Sequence, residues 1–501
     1  MNKSAIVAAG IFAAGAVALC VGAAGCVGSG GPPGEAPPPP DAAVTVDAST
    51  TEASAPTATI DAECPIVVSD TACDTTQRPI VFVHGTFGSG DNIANPALLF
   101  ASNGYCPDRF ISIDYDSLLA VGTGLTTGVF NGPVDAAGEP IDEAIDAVLA
   151  ATGFSQVDIM GHSQGALQVY VYLQDPGHVA KVAHYVQLAG GPQAAPPGPP
   201  DAGGIPTLSI SSQGDVIAGP IGVTGAEKTV LLETQDHFAV AGSTDTFVAI
   251  WQYLHQGADG GPDGQYPQYT TIQCGDPAVT IAGKSETFGD NAVPPGGQLE
   301  VYDLTAPQQD GGTPVTTFPI GDAGLVGPWT AKRLTQYEFR GVAADGGVIG
   351  HSYFQPFKRS DYWLRFLVPS QNQLASLATT PVTSLDDNNE STIITRRAPG
   401  AFRYDLGDSL TVNGFQALNG QDANRQTVTV GLFIYDENKD GMSQGGSVGL
   451  YASGSIPFLR ATDIFVPSSP PAFVTLNLNG TVLRVPNWPS VAQGQTYVFF
   501  Q

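Results

Sequence analysis

Three side chains far apart in sequence could together do nucleophilic chemistry: Ser163, Asp215 and His237. A serine hydroxyl is a poor nucleophile at neutral pH. It needs a base to take its proton, and the base needs an acid to orient it and stabilise its charged form. Ser163 lies in Gly161-His-Ser-Gln-Gly165, inside the stretch Val157 to Leu173. That stretch reads as a short buried strand, a tight turn and an apolar-periodic helix. Such a turn exposes an oxygen on a rigid support, provided Gly161 and Gly165 leave room where strand and helix nearly collide. The amides that follow lie at a helix N-terminus, where developing negative charge is favoured. The pattern alone is weak in a chain with 61 glycines, since Gly441-Met-Ser443-Gln-Gly445 and Gly445-Gly-Ser447-Val-Gly449 also match it. Neither follows an apolar strand or opens a helix, so context singles out Ser163.

The chain has seven histidines. His84 and His162 precede the serine, His178 and His184 sit at the exit of its helix and on a strand, His255 ends a helix, and His351 lies in the β-rich half. His237 alone falls in a loop between a last strand and a last helix, the place for a general base. For the acid, Asp215 in Ser212-Gln-Gly-Asp-Val216 follows a strand, with Gly214 allowing a tight turn. An Asx-type turn would use the same residue. Asp236 adjoins His237 and would point elsewhere; Asp201 lies in a proline-glycine loop. An oxyanion hole needs two backbone donors. Gln164 supplies one, and the loop His84-Gly-Thr86-Phe87-Gly88 the other, with Thr86 preferred to Phe87. His84 is expected to bond its own loop and His162 to support the turn. Phe87, Leu118, Phe130, Ile217 and Phe238 are expected to line an acyl pocket, although core packing explains each one equally well.

The elements that must position these groups alternate. Strands are predicted at Arg78–His84, Phe110–Ile113, Val157–Met160, Val182–Leu188, Pro206–Ile210 and Thr229–Leu232. Helices are predicted at Asp91–Asn103, Ile141–Ala151 and Asp245–Leu254, besides the one after Ser163. Alternation implies a mostly parallel sheet with helices on both faces. His84, Ser163, Asp215 and His237 all follow strands, so they share the carboxyl edge where ligands bind in such sheets. From Gln265 to Gln501 the pattern changes to short apolar segments separated by Gly, Pro and Asn turns. Examples are Leu299–Leu304, Gln336–Val342, Trp363–Val368, Thr427–Tyr435, Ala472–Leu478 and Thr496–Phe500. This is an all-β sandwich or barrel, with a subdivision open near 381–391.

The formal net charge of -28 and the absence of any basic patch exclude nucleic acid as a partner class. Residues 1–26 read as an export signal: Lys3, then an apolar, alanine-rich run, then Ala24-Gly25-Cys26. Membrane attachment by lipidation at Cys26, ordinary cleavage and an uncleaved anchor are all compatible with it, so the protein is expected to be secreted or held at the cell envelope. Residues 27–62 are Pro-, Ala- and Thr-rich without an aromatic residue and read as a disordered tether. A catalytic domain at 63–257 and a β-rich region at 265–501 follow. Cys64, Cys73, Cys106 and Cys274 are expected to form disulfides, as Cys64–Cys73 and Cys106–Cys274. No cofactor is required. Asp436-Glu-Asn438-Lys-Asp440-Gly441 matches the start of a calcium loop, but its twelfth position is Ser447 in place of Glu. A hairpin turn reads the same pattern, and a structural calcium stays open.

Taken together, residues 78–256 resemble the α/β-hydrolase lipases and esterases. The resemblance extends to heat-stable archaeal lipases for long-chain triacylglycerols through Phe100-Ala-Ser-Asn-Gly-Tyr105, Ile113-Asp-Tyr-Asp116, Gly350 to Val368 and Ile456 to Val466. It implies Ser163 as nucleophile, His237 as base, the order serine, acid, histidine, and acyl-chain binding by the β-rich region. Two features depart from it. The position that carries the acid there is Ala189 here, beside Gly190, which favours Asp215 on the next strand. The segment 118–137, with Leu125, Val129 and Phe130, is short and glycine-rich, a reduced lid at most. The expected activity is hydrolysis of lipid esters through an acyl-enzyme at Ser163. Polyester depolymerase, thioesterase and acyltransferase chemistry would use the same residues. A catalytically inactive surface lipoprotein that binds a partner through its β-domain is the alternative of another class.

Overall fold

The computed structural model describes residues 64–121, 135–196, 204–255, 269–305, 312–370, 389–452, 458–469 and 472–501. The segments read as an export signal and a tether, Phe130 with most of the segment read as a reduced lid, Asp201 and nearly all of the 381–391 boundary lie outside them.

Six strands form one parallel sheet: β1 (Ile80–Val83), β2 (Phe110–Ile113), β3 (Val157–His162), β4 (Val182–Leu188), β5 (Thr207–Ser212) and β6 (Lys228–Leu232), in the order β2-β1-β3-β4-β5-β6. Alternate side chains of β1 enter different cores. Ile80 and Phe82 join helices α1 (Ala94–Ser102) and α4 (Thr244–Leu254), whereas Val81 and Val83 join α2 (Gly138–Thr152) and α3 (Gln164–Tyr172). Burial on both faces is why the strands read as continuous apolar runs. The chain starts at β1, steps outward to β2, then reverses to β3. The carboxyl ends of β1 and β3 therefore diverge into opposite connections and leave a crevice between them. This is the α/β-hydrolase fold expected from the sequence. The predicted elements recur, with boundary shifts such as a 3-10 turn, Gly90–Ile93, opening the first helical segment.

The remainder is β-rich, as expected. An eight-stranded sheet has its middle at Val348–Phe354, Gln495–Phe500 and Ile393–Arg397, with Gln495–Phe500 parallel to both neighbours. It is buried on both sides. Tyr497 and Phe499 face a core shared with the three-stranded sheet that contains Ala278–Thr287, while Val498 and Phe500 face a core shared with the four-stranded sheet that contains Phe473–Leu478. A period of two on a strand with two covered faces explains the run Thr-Tyr-Val-Phe-Phe.

The β-rich region packs on the hydrolase sheet through buried polar contacts. Arg365 lies 2.9 Å from Asp114, which follows β2, and bonds Ser112; Lys284 reaches Asp114 at 3.4 Å. Burial pushes the Asp114 carboxyl up, but Arg365 and Lys284 more than offset this and hold it well below the usual range. The Trp363 indole donates to the Phe110 carbonyl at 2.7 Å.

The expected disulfide pairing is overturned: Cys64 is bonded to Cys274 and Cys73 to Cys106. A preference for the shortest loop ignores how the segment after Cys64 is laid down. Val68 donates to the Cys274 carbonyl at 2.8 Å, and Asp74 to the Gly104 carbonyl at 2.7 Å. These two attachments bring each cysteine beside its distant partner. Non-reducing peptide mapping is therefore expected to recover Cys64 linked to Cys274. The sequence separations are 210 and 33. The chain-entropy model then makes removal of the Cys64–Cys274 pair cost roughly 5 kcal/mol, against roughly 4 kcal/mol for the other pair, as read from denaturant midpoints. An equal or inverted ranking contradicts this.

Candidate active site

Ser163 ends β3 and caps α3 with φ 53° and ψ -121°, a conformation that L side chains adopt at a cost of about 1–3 kcal/mol. Its amide donates to the Leu188 carbonyl of β4 at 2.8 Å. A Cβ on Gly161 would lie 2.6 Å from the Ala166 backbone, the strand-helix approach anticipated from the sequence. Gly165 does something different. A Cβ there would lie 2.2 and 2.3 Å from the carbonyl oxygens of Val83 and His84, so it lets α3 close onto the neighbouring strand β1.

The structure brings the three expected side chains together. His237 Nε2 is 2.8 Å from Ser163 Oγ, and His237 Nδ1 is 2.9 Å from Asp215 Oδ2. The other oxygen of Asp215 accepts from the amides of Ile217, at 2.8 Å, and Ala218, at 3.0 Å. Burial alone would raise the Asp215 pKa. The opposing charge and hydrogen bond of His237, with those two amides, outweigh it and hold the carboxyl below its ordinary value. An ionised carboxylate can only accept, so Nδ1 carries a proton, and when the imidazole is neutral its Nε2 lone pair faces the serine hydroxyl. Ser163 is partly exposed, whereas Asp215 and His237 are buried. That is the geometry for passing a proton from serine to imidazole with the resulting charge balanced behind it. Asp236 turns away from the imidazole, accepting from the amides of Phe238 and Ala239 at 3.0 Å each.

The two expected sources of oxyanion donors are adjacent. Thr86 Oγ1 donates to Gln164 Oε1 at 2.9 Å, tying the β1 loop to the start of α3. Phe87, the second choice, has φ 57°, and its amide donates to Ser117 Oγ at 3.0 Å, so that donor is engaged elsewhere. Of the apolar residues, Phe87 and Phe238 flank the site. Both meet Phe458, at ring-centroid distances of 6.5 and 5.1 Å. Leu118 is buried, while Ile217 is 47% exposed. The Asp436 loop folds onto itself: Asp436 accepts from the amides of Lys439 and Gly441, and Asn438 from that of Asp440. Among the described residues no group of three His, Cys, Asp or Glu side chains is arranged to hold a metal ion.

Four contributors escaped sequence reasoning, and all come from the β-rich region. Phe458 supplies an aromatic edge to the site. Ala401 donates its amide to Asp236 at 3.3 Å, beside the histidine. Arg425 donates to the carbonyls of Gln213 and Gly214, beside the acid. Asn291 donates to Gly88 at 2.8 Å, in the β1 loop. None carries a local motif. Asn291, in a turn with φ 55°, at least has the residue type that tolerates that conformation.

Residues 277–371 match the model of the lipase C-terminal domain. That segment is thus similar to the C-terminal domain of lipases. Residues 388–501 match a second C-terminal domain model. Among solved structures, a predicted CIB-like hydrolase from Thermoplasma acidophilum is similar at 20% identity over 35% of this chain and 85% of its own, with TM-score 0.24. Lipase B of Aspergillus fumigatus is similar at 16% identity over 36% of this chain and 52% of its own, with TM-score 0.26. A lipase of Bacillus licheniformis in mature form is similar at 14% identity over 36% of this chain and 94% of its own, with TM-score 0.27.

Two further histidines, His162 against His237 and His84 in the β1 loop, are buried. His162 Nε2 donates to the His237 carbonyl at 2.8 Å, and His84 Nδ1 donates to the Gly85 carbonyl at 2.8 Å. Burial is the main reason that the His84 pKa falls to about 4 and that of His162 to about 3. Both stay neutral in the folded protein below pH 6.5, where an unfolded chain takes up the two protons. Native stability is therefore full above pH 6.5 and declines as the pH falls from 6.5 towards 4, each group adding a slope of up to about 1.4 kcal/mol per pH unit. Urea melts between pH 7 and 4.5 are expected to show this loss, and His162→Gln, which keeps a donor and does not titrate, to make it shallower. An unchanged slope in the variant counts against the assignment.

Proposed function

We propose that this chain is an exported serine hydrolase of carboxylic esters that acts on acylglycerols or related lipid esters. One observation carries the reading: the hydrogen-bonded chain from Ser163 Oγ through His237 to Asp215, set at the carboxyl edge of a parallel sheet. In the proposed reaction Ser163 Oγ attacks the acyl carbonyl as His237 Nε2 takes its proton. Asp215 stabilises the imidazolium. The tetrahedral oxyanion is held by backbone donors from Gln164 and from Thr86 in the β1 loop, one such donor contributing roughly 2.7–4 kcal/mol in comparable sites. Collapse expels the alcohol, which receives the proton from His237. Water, deprotonated by the same nitrogen, then attacks the acyl-enzyme and releases the acid, restoring Ser163.

The lipid preference draws support from the aromatic edge of Phe87, Phe238 and Phe458, together with the exposed Ile217 beside the acid. The lipase-type C-terminal domain and the resemblance to long-chain lipases support it too. Export draws support from the apolar, alanine-rich run before Cys26, which is also the residue for lipid attachment at the cell envelope. Two disulfides favour an oxidising compartment.

Labelling by a fluorophosphonate probe is expected in the wild type and lost in Ser163→Ala. Asp215→Asn should stay folded with kcat for p-nitrophenyl butyrate lower by about 10⁴-fold, through loss of the imidazole tautomer. A folded wild type that neither labels nor hydrolyses short esters would sink the enzyme reading. Across p-nitrophenyl esters of increasing chain length, Phe458→Ala is expected to lower kcat/KM for long chains roughly tenfold more than for acetate. A uniform effect across the series removes Phe458 from the acyl site.

A further inference from the structure

The oxyanion donor from the β1 loop is useful only if it is held to about half an ångström. The loop His84-Gly-Thr-Phe-Gly88 lies beyond the sheet, so no strand pairing fixes it. Its internal bonds are few: Gly88 donates to the Gly85 carbonyl at 3.0 Å and His84 Nδ1 donates to the same oxygen. The far end of the loop is held from outside. Asn291 Nδ2 lies 2.8 Å from the Gly88 carbonyl, 3.1 Å from His84 Nε2 and 3.3 Å from the Tyr115 carbonyl. The two hydrogens of this one amide are shared among three acceptors, at both ends of the loop and in the segment after β2. His84 can take part because its proton is on Nδ1, which leaves Nε2 as an acceptor.

Asn291 is itself immobilised. It is 7% exposed, has φ 55°, and sits in a turn closed by the Thr287 amide on the Ala292 carbonyl at 2.8 Å. Asp290, its neighbour, is bonded by the hydroxyls of Thr287 and Ser370. The turn extends the strand Ala278–Thr287, whose Lys284 reaches Asp114 of the hydrolase domain. A rigid path therefore runs from the domain interface to the loop behind the serine.

We infer that Asn291, reaching from the lipase-type C-terminal domain, is a positioning residue for the oxyanion loop of the catalytic domain. It touches no substrate and acts through His84 and Gly88. The inference rests on the ester-hydrolase reading above and goes beyond it, because it gives the C-terminal domain a part in transition-state stabilisation separate from acyl binding.

The test uses the full-length protein with Asn291→Ala and Asn291→Asp. Asp has nearly the same shape, but its carboxylate has no hydrogen to give to two carbonyls and an imidazole lone pair. Asn103→Ala serves as a control: it removes another contact between the two regions, to Thr270, remote from the serine. Both Asn291 variants are expected to lose kcat by roughly tenfold or more with KM within about twofold, as fits a misplaced oxyanion donor. Affinity for a trifluoromethyl ketone, whose tetrahedral adduct carries an oxyanion, should fall in parallel. Asn103→Ala should alter thermal stability without changing kcat or the ketone affinity. Wild-type kcat in either Asn291 variant, or a loss that Asn103→Ala reproduces, overturns the inference. An inert wild type overturns this inference together with the hydrolase reading, whereas an active wild type with unaffected Asn291 variants overturns this inference alone.

Discussion

A serine held at φ 53° between a strand and a helix is the constraint on which the rest depends. No local preference favours that backbone, so its surroundings must over-determine it. They do so from three strands. β4 receives the Ser163 amide, β1 presents two carbonyls against Gly165, and β3 delivers the chain through Gly161. The parallel order around β1 and β3 thus does more than carry the loops. It presses three backbones close enough that only glycine fits at two of the contacts.

The second requirement is that loops from different strands meet at one oxygen. Each of these loops is touched by the β-rich region: the β1 loop by Asn291, the acid loop by Arg425, and the segment beside the histidine by Ala401. Those contacts have meaning only if the two regions dock in one register. The buried pair of Arg365 and Asp114 imposes it. Taking both charges out of water costs much of what their attraction returns, so the pair is better understood as fixing alignment than as adding stability.

The sequence made the hydrolase half readable because its signals are local. Apolar strands end in His84, Ser163 and Asp215, and helical periodicity follows Ser163, so a parallel sheet with one reactive edge could be drawn before any coordinates. The acid was legible because Asp215 follows a strand with Gly214 to allow the turn, and the resemblance adds that the family's usual acid position is Ala189 here. The β-rich half was legible as β-strands but not as layers: a strand such as Thr496–Phe500 looks the same whether it sits at an edge or between two cores. Long-range features left no trace. The partner of Cys64 is decided by where residue 68 is laid beside residue 274. Asn291 and Phe458 acquire their roles only by docking, and no spacing rule connects residue 291 to residue 88.

The placement of Gln495–Phe500 has a consequence for how the molecule is made. This strand lies between Val348–Phe354, within the segment that matches the lipase C-terminal domain model, and Ile393–Arg397, within the second matched segment. It is the latest of the sheet's strands in sequence, yet it occupies the middle. While a ribosome is still adding residues before 495, the two halves of the sheet have no common strand and their cores stay open to water. The eight-stranded sheet is thus closed only by residues 495–500, which also supply Tyr497 and Phe499 to one core and Val498 and Phe500 to the other.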